Sequence, residues 1–171
     1  MHSHPPVVVV CLTDSHQRVT NANGAVTEVT HKAGDVFYND AVTHTEESLS
    51  DSPLEAIVIE LKPGAPPSTP ADRVTLDPIK IDPEYHSVMV ENARVRAIRT
   101  VLEPGIKSPL HEHPHYVVVY LTELHTTMQL GDGRVVDNPR RAGEVGWRDF
   151  MRHATLNIGK QTAVEIQVEL K

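Results

Sequence analysis

A single cysteine, Cys11, in a chain of 171 residues excludes an internal disulfide and a cysteine-rich zinc site. Any metal must therefore be held by His, Asp or Glu. The longest unbroken apolar run, Val7 to Leu12, is six residues, far short of the ~20 that a membrane helix requires. No basic-then-apolar leader opens the chain, so the sequence as given is expected in the cytoplasm, or exported if a leader precedes Met1. Basic residues number 16 against 23 acidic ones and form no stripe, which argues against nucleic acid as a partner, as the short apolar runs argue against a membrane. Aromatic side chains are scarce, 4% of the total, whereas there are 11 histidines; fully protonated, they would turn the net charge from −7 to +4. With 39% hydrophobic and 23% charged residues, the composition is that of a globular protein of one ordinary or two small domains.

Residue n resembles residue n + 109 without a gap from His2 to Lys62 and from His111 to Lys171, with 20 identities over residues 1–62. This duplication decides the architecture. Residues 63–76 begin Pro63-Gly64-Ala65-Pro66-Pro67-Ser68-Thr69-Pro70, an extended, donor-poor run that reads as a linker between domains at 1–62 and 77–171. Apolar residues come in short β-branched runs or alternate with polar ones, and no stretch of twelve has a helical stripe. In the second copy the pattern predicts strands at Ser87–Val90, Arg94–Leu102, Tyr116–Leu121, Thr126–Leu130, Arg134–Asp137, Glu144–Arg148, His153–Asn157 and Thr162–Leu170. Asn21 to Gly24 and Gly131 to Gly133 are hairpin turns. The fold class is all-β: two tandem antiparallel barrels or jelly rolls.

The second copy has 34 residues, Asp77 to Leu110, before the position that matches Met1, and they include two predicted strands; the first copy has no counterpart. The first barrel is thus expected to lack its N-terminal strands, with Met1 an internal methionine of a protein that begins thirty or more residues earlier. An open sheet needs a cover, and a homodimer packed near Val7 and Val9 is expected.

Each copy carries His-x-His with a third His forty residues after the second: His2, His4 and His44, then His111, His113 and His153. Residues i and i+2 of a strand face the same side, so each pair points together and a later strand can bring in the third imidazole. Three neutral nitrogens make a metal site with open positions for a divalent transition metal, Fe, Mn, Zn, Ni or Cu. Protons compete with metal for imidazole, so affinity is expected to fall below roughly pH 6.

These residues resemble the cupin superfamily, whose first motif is Gly-x5-His-x-His-x3or4-Glu-x6-Gly; Gly105, His111 and His113 match its opening. The second motif, Gly-x5-Pro-x-Gly-x2-His-x3-Asn, is seen loosely from Gly143 through His153 to Asn157, and from Gly34 to His44. Small bacterial cupins of the His-x-His-Pro type are similar at His2-Ser3-His4-Pro5, Val8-Val9-Val10, Leu12-Thr13-Asp14 and Ile59-Glu60-Leu61-Lys62. The resemblance implies a duplicated bicupin of double-stranded β-helix barrels. The motif's Glu ligand falls on Val117 and Val8, and its Pro and second Gly are missing, with Asp149 and Asp40 near the Pro position. The remaining three-His set is similar to that of iron(II) dioxygenases of this superfamily. The expected function is either a metal-dependent enzyme, dioxygenase-like or using other Lewis-acid chemistry on a small polar or anionic molecule, or a non-catalytic small-molecule-binding or structural cupin.

Other side chains have two readings each. His16 and His125 support the metal ligands or lie on a hairpin surface. Trp147, Tyr38 and Phe150 line a pocket or fill the core. Arg99, Arg148 and Arg152 clamp a carboxylate or are solvated. His115 adjoins the pair but is Pro6 in the first copy, Glu112 alternates outward, and Cys11 is core.

Overall fold

The computed structural model describes residues 1–63 and 73–171. Two compact units, 1–64 and 65–171, divide the chain. The expected linker at 63–76 falls mainly on residues 64–72, which lie outside the described residues.

In the first unit the β-branched runs form β1 (His2–His4), β2 (Val7–Cys11), β3 (Ser15–Asn21), β4 (Val26–His31), β5 (Val36–Asn39), β6 (Val42–Ser48) and β7 (Ala56–Glu60). They pair antiparallel in the orders β1-β6-β3-β4 and β5-β2-β7. The second unit opens with a short helix, α1 (Pro78–Ile81), whose cap Asp77 accepts from the Ile79 N–H at 3.1 Å. Its strands are β8 (His86–Glu91), β9 (Val95–Leu102), β10 (His111–His113), β11 (Tyr116–Tyr120), β12 (Leu124–Leu130), β13 (Val135–Arg140), β14 (Val145–Arg148), β15 (Met151–Asn157) and β16 (Ala163–Leu170). The sheets run β10-β15-β12-β13 and β14-β11-β16-β9-β8. All eight strands expected in this copy are present, each within a few residues of its expected ends. The four-residue helix, too short to leave a periodic signal, is an addition.

Strand for strand, β1–β7 repeat as β10–β16, and the matching turns use the same chemistry. Gly24 and Gly133 close their hairpins at φ +83° and +87°, a left-handed region that costs any residue with a Cβ. Asn23 Oδ1 and Asp132 Oδ1 each accept the N–H two residues on, at 3.0 Å.

Alternation sets the core. On β11, Tyr116, Val118 and Tyr120 turn inward and pack with Leu102, Leu124 and Ala163, all nearly inaccessible. The strands β8 and β9 complete this barrel: β9 pairs along the whole of β16, from Ala163↔Leu102 to Leu170↔Val95, and β8 pairs with β9. In the first barrel β7 ends its sheet, and no described strand pairs with its outer edge. Val58, on that strand, is 55% exposed. No helix among the described residues is long and apolar enough to cross a membrane.

Candidate metal centre

The forty-residue spacing has a direct structural meaning. His111 lies opposite His153 in the β10–β15 ladder, and His2 lies opposite His44 in β1–β6. His113 and His4, two residues along, share the face of their neighbours, and in each unit the three histidines bring one ring nitrogen apiece to within 4.8 Å of one another.

In the second barrel the convergence is buried. His111, His113 and His153 are 1%, 0% and 3% exposed. Each uses Nδ1 to bond the protein: His111 to the Pro109 carbonyl at 2.9 Å, His113 to Glu169 Oε1 at 2.7 Å, and His153 to Thr155 Oγ1 at 3.1 Å. The first two partners are pure acceptors, so those rings carry the proton on Nδ1 and present a bare Nε2 lone pair. All three Nε2 atoms are buried without a hydrogen-bond partner. Three buried ring nitrogens without a partner in one place, two of them bare acceptors, are costly unless something electrophilic meets them, and a divalent cation fits that description. Burial pushes the His111 imidazole down to about 4 and holds His113 and His153 well below their ordinary value. The rings are therefore neutral, as coordination requires, over a wider acid range than the pH 6 limit expected from an unperturbed histidine.

Glu169 anchors the set. Only 2% exposed, it holds His113 through Oε1 and accepts from Arg96 Nε through Oε2 at 2.7 Å, and Arg96 reaches Asp77 at 3.1 Å. Burial raises the Glu169 carboxyl and the adjacent guanidinium offsets it.

Two groups that the sequence reading missed face the same interior. His86, 3% exposed, lies with its ring centroid 5.0 Å from that of His111. Its Nδ1 is 3.2 Å from the Asp82 carbonyl oxygen and 3.1 Å from the Asp82 carboxylate, and its Nε2 is buried without a partner. Glu165 shares this pocket with His86, His111 and His153, and burial pushes its carboxyl up to about 7. Gln167 Nε2 donates to Glu165 Oε1 at 2.7 Å, and Thr100 Oγ1 donates to Gln167 Oε1 at 2.8 Å.

The first barrel's triplet is more open: His2 is exposed, His4 half-buried and His44 5% exposed. His44 Nε2 lies 3.1 Å from His2 Nε2, and His4 Nδ1 bonds the Pro5 carbonyl at 2.8 Å. Glu60, the counterpart of Glu169, is exposed here. Burial lowers His44.

The remaining candidates fall outside both clusters. His16 pairs with Glu28 at 3.3 Å and His125 with Asp137 at 2.6 Å, both on half-open strand surfaces, which is the hairpin reading. Trp147 is 53% exposed and stacks on His115 at 5.8 Å, and Phe150 is 37% exposed, so neither fills the core. Tyr38 reaches Asp40 at 3.1 Å. Glu112 faces away from the ligand nitrogens but is buried; it binds Arg152 and the N–H groups of Thr75 and Leu76. Arg152 is thereby engaged, and Arg148 donates to the Tyr120 hydroxyl at 3.3 Å. Cys11 is buried, and burial raises its thiol.

No family model matches the sequence, and no curated protein matches it. Solved structures do. AerE from Microcystis aeruginosa has a TM-score of 0.69 at 11% identity over 100% of this chain and 81% of its own. An oxalate decarboxylase variant from Bacillus subtilis has a TM-score of 0.65 at 15% identity, covering 98% of this chain. The chain has the cupin fold. It spans 64% of that decarboxylase, and at these identities the likeness is one of fold. A cupin domain from Bordetella pertussis Tohama I is 25% identical over 50% of this chain and 91% of its own, with a TM-score of 0.47. Within the cupin fold the strand alternation corrects one reading of the motif. Val117 faces away from the β11 core, and the inward position is Val118, so the missing carboxylate of the motif belongs at Val118 and, by the repeat, at Val9.

Proposed function

We propose that this chain is a metal-dependent cupin whose second barrel holds a divalent transition ion on His111, His113 and His153, with His2, His4 and His44 forming a second, more open site. The observation that carries the proposal is the set of three buried, unpartnered Nε2 atoms, two of them fixed as acceptors by what their Nδ1 atoms bond. Neutral imidazole suits Fe, Zn, Cu and Ni, and Mn is known in the Bacillus subtilis oxalate decarboxylase. Such an ion supplies Lewis acidity and open coordination positions for a small polar or anionic molecule.

The chain's own residues complete the chemistry. Glu169 fixes the His113 tautomer. Asp82 orients His86 so that its Nε2 faces the interior, and Glu165, with a carboxyl shifted to about 7, is suited to give or take a proton near neutrality. These groups favour an enzyme, dioxygenase-like or otherwise Lewis-acid, because a structural cupin has no need of a half-buried proton carrier beside its metal site. The small free space around them favours the second reading, a non-catalytic binding cupin.

Elemental analysis of untagged protein tests the metal centre. Bound metal is expected, and His153→Ala is expected to remove the second barrel's share; no bound metal in the wild type sinks the proposal. A screen of small acids under air with Fe(II), Mn(II) and Zn(II), scored for turnover and for unchanged ligand that raises Tm, separates the two readings.

The unpaired edge of β7 motivates a homodimer in which a second chain packs beside Ala56–Glu60. Light scattering at micromolar concentration is expected to give twice 18.9 kDa, and a monomer refutes this assembly.

A further inference from the structure

The two barrels share a histidine triplet and differ in the room below it. Beside His111 and His153 the room is about 10 Å³, the space of one water, and the walls are polar. Beneath His2, His4 and His44 the cavity measures about 260 Å³. Two things open it: no described strand stands where β8 and β9 wall the second barrel, and the ungapped repeat changes the remaining wall position by position. Val7 stands where the second copy has Tyr116, and Cys11 where it has Tyr120; Ala56 replaces Glu165, and Val58 replaces Gln167. The first two exchanges remove phenol rings and empty the barrel. The second two remove the carboxylate and amide of Glu165 and Gln167, so that Ala56 and Val58 join Val7, Val9 and Phe37 in an apolar wall that faces polar side chains. Packed interiors hold few voids larger than a water, and a hollow of this size beneath three convergent imidazoles has the character of a ligand site.

We propose that the first barrel is the organic-ligand site of this chain and takes a molecule with an apolar body of about six to eight carbons and a single monoanionic oxygen head, such as a medium-chain monocarboxylate. The body lies against Val7, Val9, Phe37, Ala56 and Val58, and the head meets the ion at His2, His4 and His44. The head's placement rests on the metal-centre reading above; the body's rests on the cavity alone. Charge sets the limit at one. Glu46, Glu55 and Glu60 also line the cavity, with Glu46 Oε1 3.8 Å from His44 Nε2, so a dianion meets carboxylates that a monoanion balanced by the ion avoids. The second barrel, with room for one water, takes only the smallest ligands.

Calorimetry on Zn(II)-loaded full-length chain, with metal content measured per chain, tests this with acetate, butanoate, hexanoate, octanoate and succinate. Each buried methylene is expected to tighten binding about fourfold, and octanoate to exceed butanoate by at least tenfold. Succinate is expected to bind more weakly than butanoate. Cys11→Tyr, which restores the second copy's residue, is expected to abolish the chain-length gain without lowering metal content. Val58→Gln, at an exposed position, is expected to reduce it even if the tyrosine variant fails to fold. Equal affinity from acetate to octanoate, with metal bound, overturns the proposal, as does a gain that survives both variants. If a second copy fills the cavity instead, the series is flat at every protein concentration at which light scattering reports a dimer, and the proposal falls. If no ion binds, the metal-centre reading fails by itself, and a butanol-to-octanol series on the same protein still decides the cavity.

Discussion

Glu169→Ala is expected to destabilise the second unit by about 3–5 kcal/mol, because it removes one partner of a buried ion pair and leaves the other without its charge. Glu169 is 2% exposed and its two oxygens serve different partners, His113 Nδ1 and Arg96 Nε, each at 2.7 Å. Arg96 keeps Asp77, which places the expectation toward the lower end of that range. The same change frees the His113 ring to rotate or to switch tautomer, and loss of such a supporting bond typically weakens metal affinity by about 10–100-fold. Glu169→Gln retains an acceptor for one partner and the volume of the side chain, so it is expected to cost less on both counts. Urea melts of the metal-free variants, followed by competitive chelation, measure the two effects separately. An alanine variant within 0.5 kcal/mol of the wild type, the usual range of a plain surface change, refutes the anchoring role of Glu169.

Glu165→Gln is expected to stabilise the protein at alkaline pH and to leave it unchanged in acid. The Glu165 carboxyl lies at about 7 in the folded chain and near 4.5 when exposed, so between those values the folded state holds a proton that the unfolded state has released. Its contribution is fully present below pH 4.5 and is lost as pH rises through 7. The variant should therefore gain on the wild type across that window, reaching roughly 3 kcal/mol by pH 8. The buried imidazoles run the other way. His111 at about 4 stays neutral where the unfolded ring is charged, so its contribution is present above pH 6.5 and lost as pH falls toward 4. In the metal-free wild type the two slopes oppose each other between pH 4.5 and 6.5, and the variant unmasks the imidazole slope as a steeper loss of stability in acid. Denaturant titrations at pH 5, 6, 7 and 8 check it; parallel curves for wild type and variant would show that the Glu165 carboxyl is not raised by folding.

The strands and the histidine triplets were legible because each is written in a short-range code. Alternation marks Val95–Leu102 and Ala163–Leu170, and the repeat of His-x-His with a third His forty residues on doubles a signal that one copy leaves weak. What stayed hidden depends on pairing between distant strands. His86 has no counterpart in the first copy and reads as one histidine among eleven until β8 sets it against Thr100 on β9. Glu165 is an ordinary strand carboxylate until the β16 register places it opposite Thr100 and Tyr120. Trp147 reads from the sequence as pocket wall or core, yet its place on β14 opposite Val117 turns it outward, because residue type biases burial while phase along the strand decides it. The motif's spacing of three or four residues fits both Val117 and Val118, and the same phase selects Val118.

The direct opposition of His2 to His44 and of His111 to His153 bears on how this chain tolerates insertions and deletions. His44 is clamped on both sides, with His2 across one ladder and Asn21 across the other; His153 likewise sits between His111 and Leu130. A single residue gained or lost within β6 or β15 would rotate the third imidazole to the outside of the barrel and dissolve the nitrogen cluster, whatever it did to the fold. Composition at the neighbouring positions is under no such restriction, as Val7 and Cys11 show where the second copy has Tyr116 and Tyr120. Length in these strands is thus the inherited quantity and side-chain volume the adjustable one, which makes replacement of wall residues, with every spacing left alone, the natural route for engineering new contents into either barrel.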